Sequence, residues 1–399
     1  MIGYGTILPD KKGKYKEESS MKNRILFASL VLSLILSAFV MVSGCGTVAG
    51  GGGGGGGGGL TAVQIYATTE ASKASVFAKG SNVYVVFTTN NSRKLIYAKS
   101  TDEGVTFTVV TEEVVNVTDE GFCRMVVADD NTLYAAYRKY TTQNLAGIST
   151  IDAASGTHFT NLNMIGGGNI KINGLDMSVK TNDVIVALND IADTTPNYRI
   201  RITYPYEQAT TVGTTTYYTR PYGGVVSNMV TLNTSEVVFV NNDESAITGE
   251  IICSRTDNGW STNPTSVVTS SAAGIFDTMD MASTAEVLYV CFVINNKLYC
   301  VHSPDLGATW QPPVLVSDPA IGNTFSSLVC ANGKIYIMFL KNNTTVCLGV
   351  SSDGGVTWAV STLATIALAT NYPEMFIDGT KAYLVYRTSE GIFLLKTTI

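Results

Sequence analysis

Apolar and polar positions alternate in short runs along residues 60–399, and the runs return at a near-constant spacing. The clearest copies read aliphatic, Tyr, two further residues, then an aromatic. They are Val83-Tyr84-Val85-Val86-Phe87, Leu133-Tyr134-Ala135-Ala136-Tyr137, Leu288-Tyr289-Val290-Cys291-Phe292, Ile335-Tyr336-Ile337-Met338-Phe339 and Ala382-Tyr383-Leu384-Val385-Tyr386. Weaker copies at Val184–Leu188 and Glu236–Val240 make seven. Positions 84, 134, 185, 237, 289, 336 and 383 lie about 47 to 52 residues apart, room for four short strands and their turns. β-branched and aromatic residues fill these runs, which predicts an all-β chain. A unit that cannot bury its own apolar faces must stack on its neighbours, so this period predicts four-stranded antiparallel blades of a seven-bladed β-propeller. The seventh unit, Glu374 to Ile399, has room for three strands only, and Leu60–Thr69 is expected to supply the fourth.

A second marker runs in phase with the first. Ser100-Thr101-Asp102-Glu103-Gly104-Val105-Thr106-Phe107 is one copy, and Ser303-Pro304-Asp305-Leu306-Gly307-Ala308-Thr309-Trp310 and Ser352-Asp353-Gly354-Gly355-Val356-Thr357-Trp358 are two more. Arg255-Thr256-Asp257-Asn258-Gly259-Trp260 is a shortened fourth, and a decayed copy runs from Ser149 through Asp152 to Phe159. The Asp is expected to accept backbone N–H groups of the turn it opens, the Gly to supply a positive φ, and the Thr and aromatic to begin the next strand. Each copy should therefore be the hairpin between a blade's third and fourth strands. The pattern Ser-x-Asp-x-Gly-x-Thr-Trp resembles the Asp box of sialidases and their relatives. The resemblance implies a sialidase-like propeller over residues 60–399, with a six-bladed ring as the alternative count, and puts the boxes on the face away from the active site. Asp102, Asp152, Asp257, Asp305 and Asp353, with Gly104, Gly259, Gly307, Gly355, Phe107, Trp260, Trp310 and Trp358, are then structural.

Two hairpins can be read from paired asparagines. Asn295-Asn296 and Asn342-Asn343 are expected as two-residue turns with positive φ. The first sets Cys291 opposite Cys300 as a non-hydrogen-bonded pair, open either to a disulfide or to two buried free thiols. Cys123, Cys253, Cys330 and Cys347 read as small core residues.

The first sixty residues look like an address. Residues 1–20 read as an upstream extension. Residues 21–44 hold Lys22 and Arg24, then an apolar run from Ile25 to Val42 that closes on Val42-Ser43-Gly44-Cys45. This resembles a bacterial lipoprotein signal, with Cys45 as the lipidated residue; a plain transmembrane anchor is the alternative. Gly46 in place of Asp leans towards the outer membrane. Residues 45–59, with Gly50 to Gly59 unbroken, read as a flexible tether. The expectation is a cell-envelope protein facing away from the cytoplasm. The net charge is −6, and residues 45–399 alone carry 20 basic against 29 acidic side chains. That balance repels phosphate backbones and argues against nucleic acid as a partner.

Little in the sequence announces chemistry. The two histidines, His158 and His302, fall in or beside Asp boxes, which disfavours catalytic triads and His-based metal sites. Asp129-Asp130-Asn131 reads as a hairpin turn, and no cofactor or metal is expected. The remaining candidates map to the mouth opposite the boxes: Lys73, Asp119, Glu120, Arg124, Arg138, Asp176, Arg220, Tyr222, Asp277, Asp280, Tyr372, Glu374 and Arg387. The sialidase resemblance implies a carboxylate clamp, here Arg124, Arg220 and Arg387, an acid at Asp119, and a Tyr372–Glu374 pair. The family's Phe/Tyr-Arg-Ile-Pro motif is absent, since Tyr198-Arg199-Ile200-Arg201 lacks the Pro. The reading that follows is a glycan- or protein-binding module, with a sialidase-like exo-glycosidase and an assembly scaffold as alternatives.

Overall fold

The computed structural model describes residues 60–89, 92–114, 123–129, 131–139, 145–152, 160–165, 170–180, 183–192, 198–204, 214–220, 226–233, 236–243, 249–255, 265–271, 278–317, 326–366 and 373–399. The leader, Cys45 and the glycine tether lie outside them. The described residues form seven four-stranded antiparallel sheets. After β1 (Val63–Ala67), the first sheet runs β2 (Ala71–Lys79), β3 (Asn82–Thr89), β4 (Lys94–Ser100) and β5 (Thr108–Val114). The second holds β6 (Cys123–Val127), β7 (Thr132–Lys139), β8 (Leu145–Asp152) and β9 (Thr160–Ile165). The third holds β10 (Ile170–Lys180), β11 (Asp183–Ala192), β12 (Tyr198–Tyr204) and β13 (Thr214–Arg220), and the fourth β14 (Val226–Asn233), β15 (Glu236–Asp243), β16 (Gly249–Arg255) and β17 (Thr265–Ser271). The fifth is β18 (Thr278–Ser283), β19 (Leu288–Ile294), β20 (Lys297–Ser303) and β21 (Val314–Ser317). The sixth is β22 (Ser326–Ala331), β23 (Lys334–Lys341), β24 (Thr345–Ser351) and β25 (Ala359–Thr365). The last joins β26 (Glu374–Asp378), β27 (Lys381–Thr388) and β28 (Gly391–Thr398) to β1, in the order β1-β28-β27-β26.

The Tyr-anchored motif is the second strand of its sheet, and its composition follows from burial on two sides. In β3, Val83, Val85 and Phe87 pack with Tyr383, Val385, Ile392 and Leu394 of the last sheet. The alternate residues Tyr84 and Val86 pack with Cys123, Met125 and Leu133 of the second. The same division recurs in β19, where Val290 and Phe292 meet Ile251 and Cys253 of the fourth sheet, while Tyr289 and Cys291 meet Ile335 and Ile337 of the sixth. A strand sandwiched between two neighbours has no polar face, so it reads as a continuous apolar run. First strands touch in the order β2, β6, β10, β14, β18, β22, β26, and β26 in turn touches β2. This architecture is consistent with a β-propeller.

The Asp boxes are the β4–β5, β20–β21 and β24–β25 hairpins. Ser100 Oγ donates to Asp102 Oδ1 at 2.6 Å and accepts the Gly104 N–H at 2.8 Å, while Thr106 donates from N to Oδ1 at 2.9 Å and from Oγ1 to Oδ2 at 2.6 Å. Ser303, Asp305, Gly307 and Thr309 repeat the arrangement. In the third copy the serine is Ser351, one residue before the Ser352 expected from the motif, because only the i−2 position reaches both Asp353 and the Gly355 N–H. The glycines hold φ of 83°, 95° and 88° at Gly104, Gly307 and Gly355. The Thr side chains belong to the turn, not to the next strand. These bonds hold the carboxyls of Asp102, Asp305 and Asp353 at a pKa of about 2, their hydroxyl partners contributing most. Asp257, Gly259 and Trp260 lie outside the described residues, as does the side chain of Asp152.

Asn295 and Asn296 adopt φ of 51° and 60° between Ile294 and its partner Lys297. Asn342 and Asn343 also have positive φ, but Lys341 pairs with Thr345, so that loop has three residues instead of the expected two. Cys291 and Cys300 are register partners, and both are buried. At Asp129, the Asn131 N–H donates to Ala128 O at 2.9 Å, a plain β6–β7 turn.

Candidate functional site

First strands have one edge with no strand partner, and their N–H groups there need acceptors. Side chains from the preceding sheet provide them. Ser75 Oγ accepts the Met125 N–H at 3.1 Å, Asp280 Oδ2 accepts the Leu328 N–H at 2.7 Å, and Ser327 Oγ accepts the Met375 N–H at 3.0 Å. With the Arg124–Asp176 ion pair, these contacts place Ser75, Arg124, Asp176, Asp280, Ser327 and Glu374 at one level of six of the seven first strands. The residue after each, from Val76 through Met125, Met177, Met281 and Leu328 to Met375, is buried and apolar.

Charge gathers at this level. Arg124 on β6 donates from Nη1 to Glu374 Oε2 at 2.7 Å and lies with Nε 3.2 Å from Asp176 Oδ1. The three side chains are 16%, 14% and 8% exposed. Ser75 Oγ donates to the other Glu374 oxygen at 2.5 Å. Asp280 accepts the Met281 N–H at Oδ1, 2.9 Å away, besides its bond to Leu328. Burial pushes the Asp280 carboxyl up to about 6, against the pull of Arg124, the Leu328 N–H and Lys73. Burial, with Arg124 nearby, lowers Lys73 to about 8 although Glu374, Asp280 and Asp176 oppose it. Burial also works against the Arg124 charge, but Asp176, Glu374 and Asp280 outweigh it and its pKa rises. Arg124 therefore stays cationic. Among the described residues of this cluster three carboxylates face two cations, an excess of one negative charge when all are ionised.

The expected mouth residues separate on this map. Arg124 and Glu374 are in direct contact, with Lys73, Asp176 and Asp280 about them. Arg387 sits apart on β27, its Nη2 donating to Thr69 O at 3.2 Å and its buried Nε without a partner. Burial lowers its pKa. Arg220 ends β13 opposite Tyr198, with its side chain outside the described residues, and Asp119 and Tyr372 also lie outside them. Among the described residues no group of three or more His, Cys, Asp or Glu side chains is placed to hold a metal ion. Ser75 and Ser327 were not anticipated. Their only signal is the repeat itself, a polar residue ahead of an apolar one at the spacing of Asp280 and Glu374.

No protein-family model matches the chain, and no curated protein matches it. Solved structures do resemble it. A sialidase, described as Hadza microbial sialidase Hz136, superposes with a TM-score of 0.53 at 13% identity, covering 80% of this chain and 73% of that one. The polysaccharide lyase Uly1 gives 0.53 at 9% identity over 81% of this chain and 89% of the lyase. A puromycin hydrolase gives 0.55 at 14% identity over 82% of this chain and 53% of the hydrolase, about half its length. At these identities the likeness is one of fold alone, and it supports a β-propeller architecture.

Proposed function

We propose that the seven sheets are the blades of a closed propeller, tethered through a lipid on Cys45 to the bacterial cell envelope and facing away from the cytoplasm. Its mouth is a binding module for a glycan or protein ligand. The state of Arg124 carries this reading. A sialidase-type clamp needs an arginine free to receive the substrate carboxylate. Arg124 already holds Asp176 and Glu374, and an anionic sugar would have to displace a resident carboxylate. Glu374 likewise has both oxygens engaged, by Ser75 and Arg124, and so is poorly placed to activate a tyrosine. With all groups ionised, the excess of negative charge among the described residues of the cluster suits neutral, hydroxyl-rich or cationic ligands.

A fluorogenic sialoside and glycoside panel, run beside a glycan array, tests this. Retention of neutral glycans without turnover is the expected outcome. Turnover lost in a folded Arg124→Ala variant would overturn the reading in favour of a sialidase-like glycosidase. The envelope assignment is tested by metabolic labelling with a fatty-acid analogue. Label should enter the wild-type protein and not Cys45→Ser.

A further inference from the structure

We propose that Cys291 and Cys300 are a disulfide site, oxidised as the β19–β20 hairpin forms and then sealed between the fifth and sixth sheets. The geometry is set by register. Asn295-Asn296 closes the hairpin and Ile294 pairs with Lys297, so Cys291 and Cys300, three steps back, form a non-hydrogen-bonded pair. Such pairs hold their Cα atoms about 4.5 Å apart, within the roughly 4.4–6.8 Å that a disulfide spans. Both side chains lie on one face of the sheet, in the cluster that also holds Val293, Leu298 and Ile337.

The other described cysteines lack this arrangement. Cys123 faces Tyr137, Cys253 faces Val240 and Ser266, Cys330 faces Ile335, and Cys347 faces Phe339 and Thr362. Cys330 packs against the same cluster from the neighbouring sheet, but facing sheets stand about 10 Å apart, too far for a bond without backbone movement.

The oxidant is a low-molecular-weight disulfide such as oxidised glutathione. The Cys291 thiolate attacks one of its sulfurs, forming a mixed disulfide and releasing one glutathione thiolate. The Cys300 thiolate then attacks the Cys291 sulfur and releases the second. Two electrons pass from the protein thiols to glutathione, and the two protons end on the released thiols. Timing follows from burial. At 0% and 2% exposure the pair is out of reach of glutathione once the sheets have packed, so exchange belongs to the folding chain.

The test is refolding of the full chain from denaturant, with a reduced and oxidised glutathione mixture in one sample and reductant alone in the other. Free thiols are then alkylated under denaturing conditions and the peptides mapped. The expected product in the glutathione sample is one cross-linked peptide pair joining Cys291 to Cys300, with Cys123, Cys253, Cys330 and Cys347 alkylated. Alkylation of both Cys291 and Cys300, or a cross-link to any other cysteine, would overturn the proposal. The Cys300→Val chain should give no cross-link at Cys291; a new bridge from Cys291 to Cys330 would show that register does not select the partner. Folded, reduced protein given the same mixture should stay unlinked for as long as refolding takes, and equally fast linkage would sink the claim that packing seals the site.

Discussion

Arg124 Nη1 lies 2.7 Å from Glu374 Oε2 and joins the second sheet to the last across the strand that carries Ser75. A contact between residues 250 positions apart makes this charged level of the first strands a fastening between the second sheet and the last. Replacing Arg124 by Met removes the cation in contact with two nearly buried carboxylates, and such losses cost about 3–5 kcal/mol. Denaturant unfolding should show that loss, and Arg124→Met with Glu374→Gln should lose less than the two single changes added together. A single-variant loss under about 1 kcal/mol would mean that water already screens the pair.

Asp280 gives this charged level a pH signature. Its folded pKa of about 6 lies above the ordinary value of 3.8, so between these limits the folded state binds more protons than the unfolded one. Stability contributed by this group therefore falls as pH rises through that window, by about 2–3 kcal/mol at most. Asp102, Asp305 and Asp353 act in the opposite direction, since their stabilisation is present above 3.8 and lost as pH drops towards about 2. The readout is the difference between wild type and Asp280→Asn. The wild type should gain more on going from pH 7 to pH 4.5, and parallel profiles would refute the assignment.

The serine of the Asp box holds its hairpin from within. Ser303 Oγ is buried and links Asp305 to the Gly307 N–H. Ser303→Ala removes both of these bonds and should cost about 1–3 kcal/mol in thermal or chemical unfolding. Ser352→Ala, which replaces the serine outside the bond network of its box, should cost far less than Ser351→Ala.

The sheet architecture was legible because Tyr84, Tyr289 and Tyr336 recur in strands buried on both faces, and such strands cannot vary far from an apolar run. The boxes at Asp102 and Asp305 were legible because each hydrogen bond within them is local, spanning two to four residues. The site was legible only in part. Arg124, Glu374, Lys73, Asp176 and Asp280 were placed at the mouth as positions, but their pairing depends on register between sheets, which no short stretch of sequence encodes. Ser75 and Ser327 escaped because each accepts a backbone N–H group, and such groups are identical at every residue. The adjacent Ser351 and Ser352 could not be told apart by motif, and Asn342-Asn343 concealed a third loop residue, Thr344.

Gly391 pairs with Ala67 where β28 comes close to the backbone of β1. A Cβ there would come within 2.0 Å of the Tyr66 carbonyl oxygen, and φ is +147°. Gly391→Ala should strip β1 from its partner, at a cost of about 1–3 kcal/mol from the backbone conformation alone. Protease should then cut within residues 60–69 while the rest of the protein stays intact. Unchanged resistance would show that β28 can shift to accept the methyl.

The pairing of β1 with β28 also orders events during synthesis. Gln64 Nε2 donates to Glu390 O across 326 positions, so β1 must wait for the much later synthesis of β28. Until then both edges stay open to other chains. A product stopped short of Gly391 can never satisfy β1, and its first strand would remain a standing marker of incompleteness for the proteases that survey newly made chains.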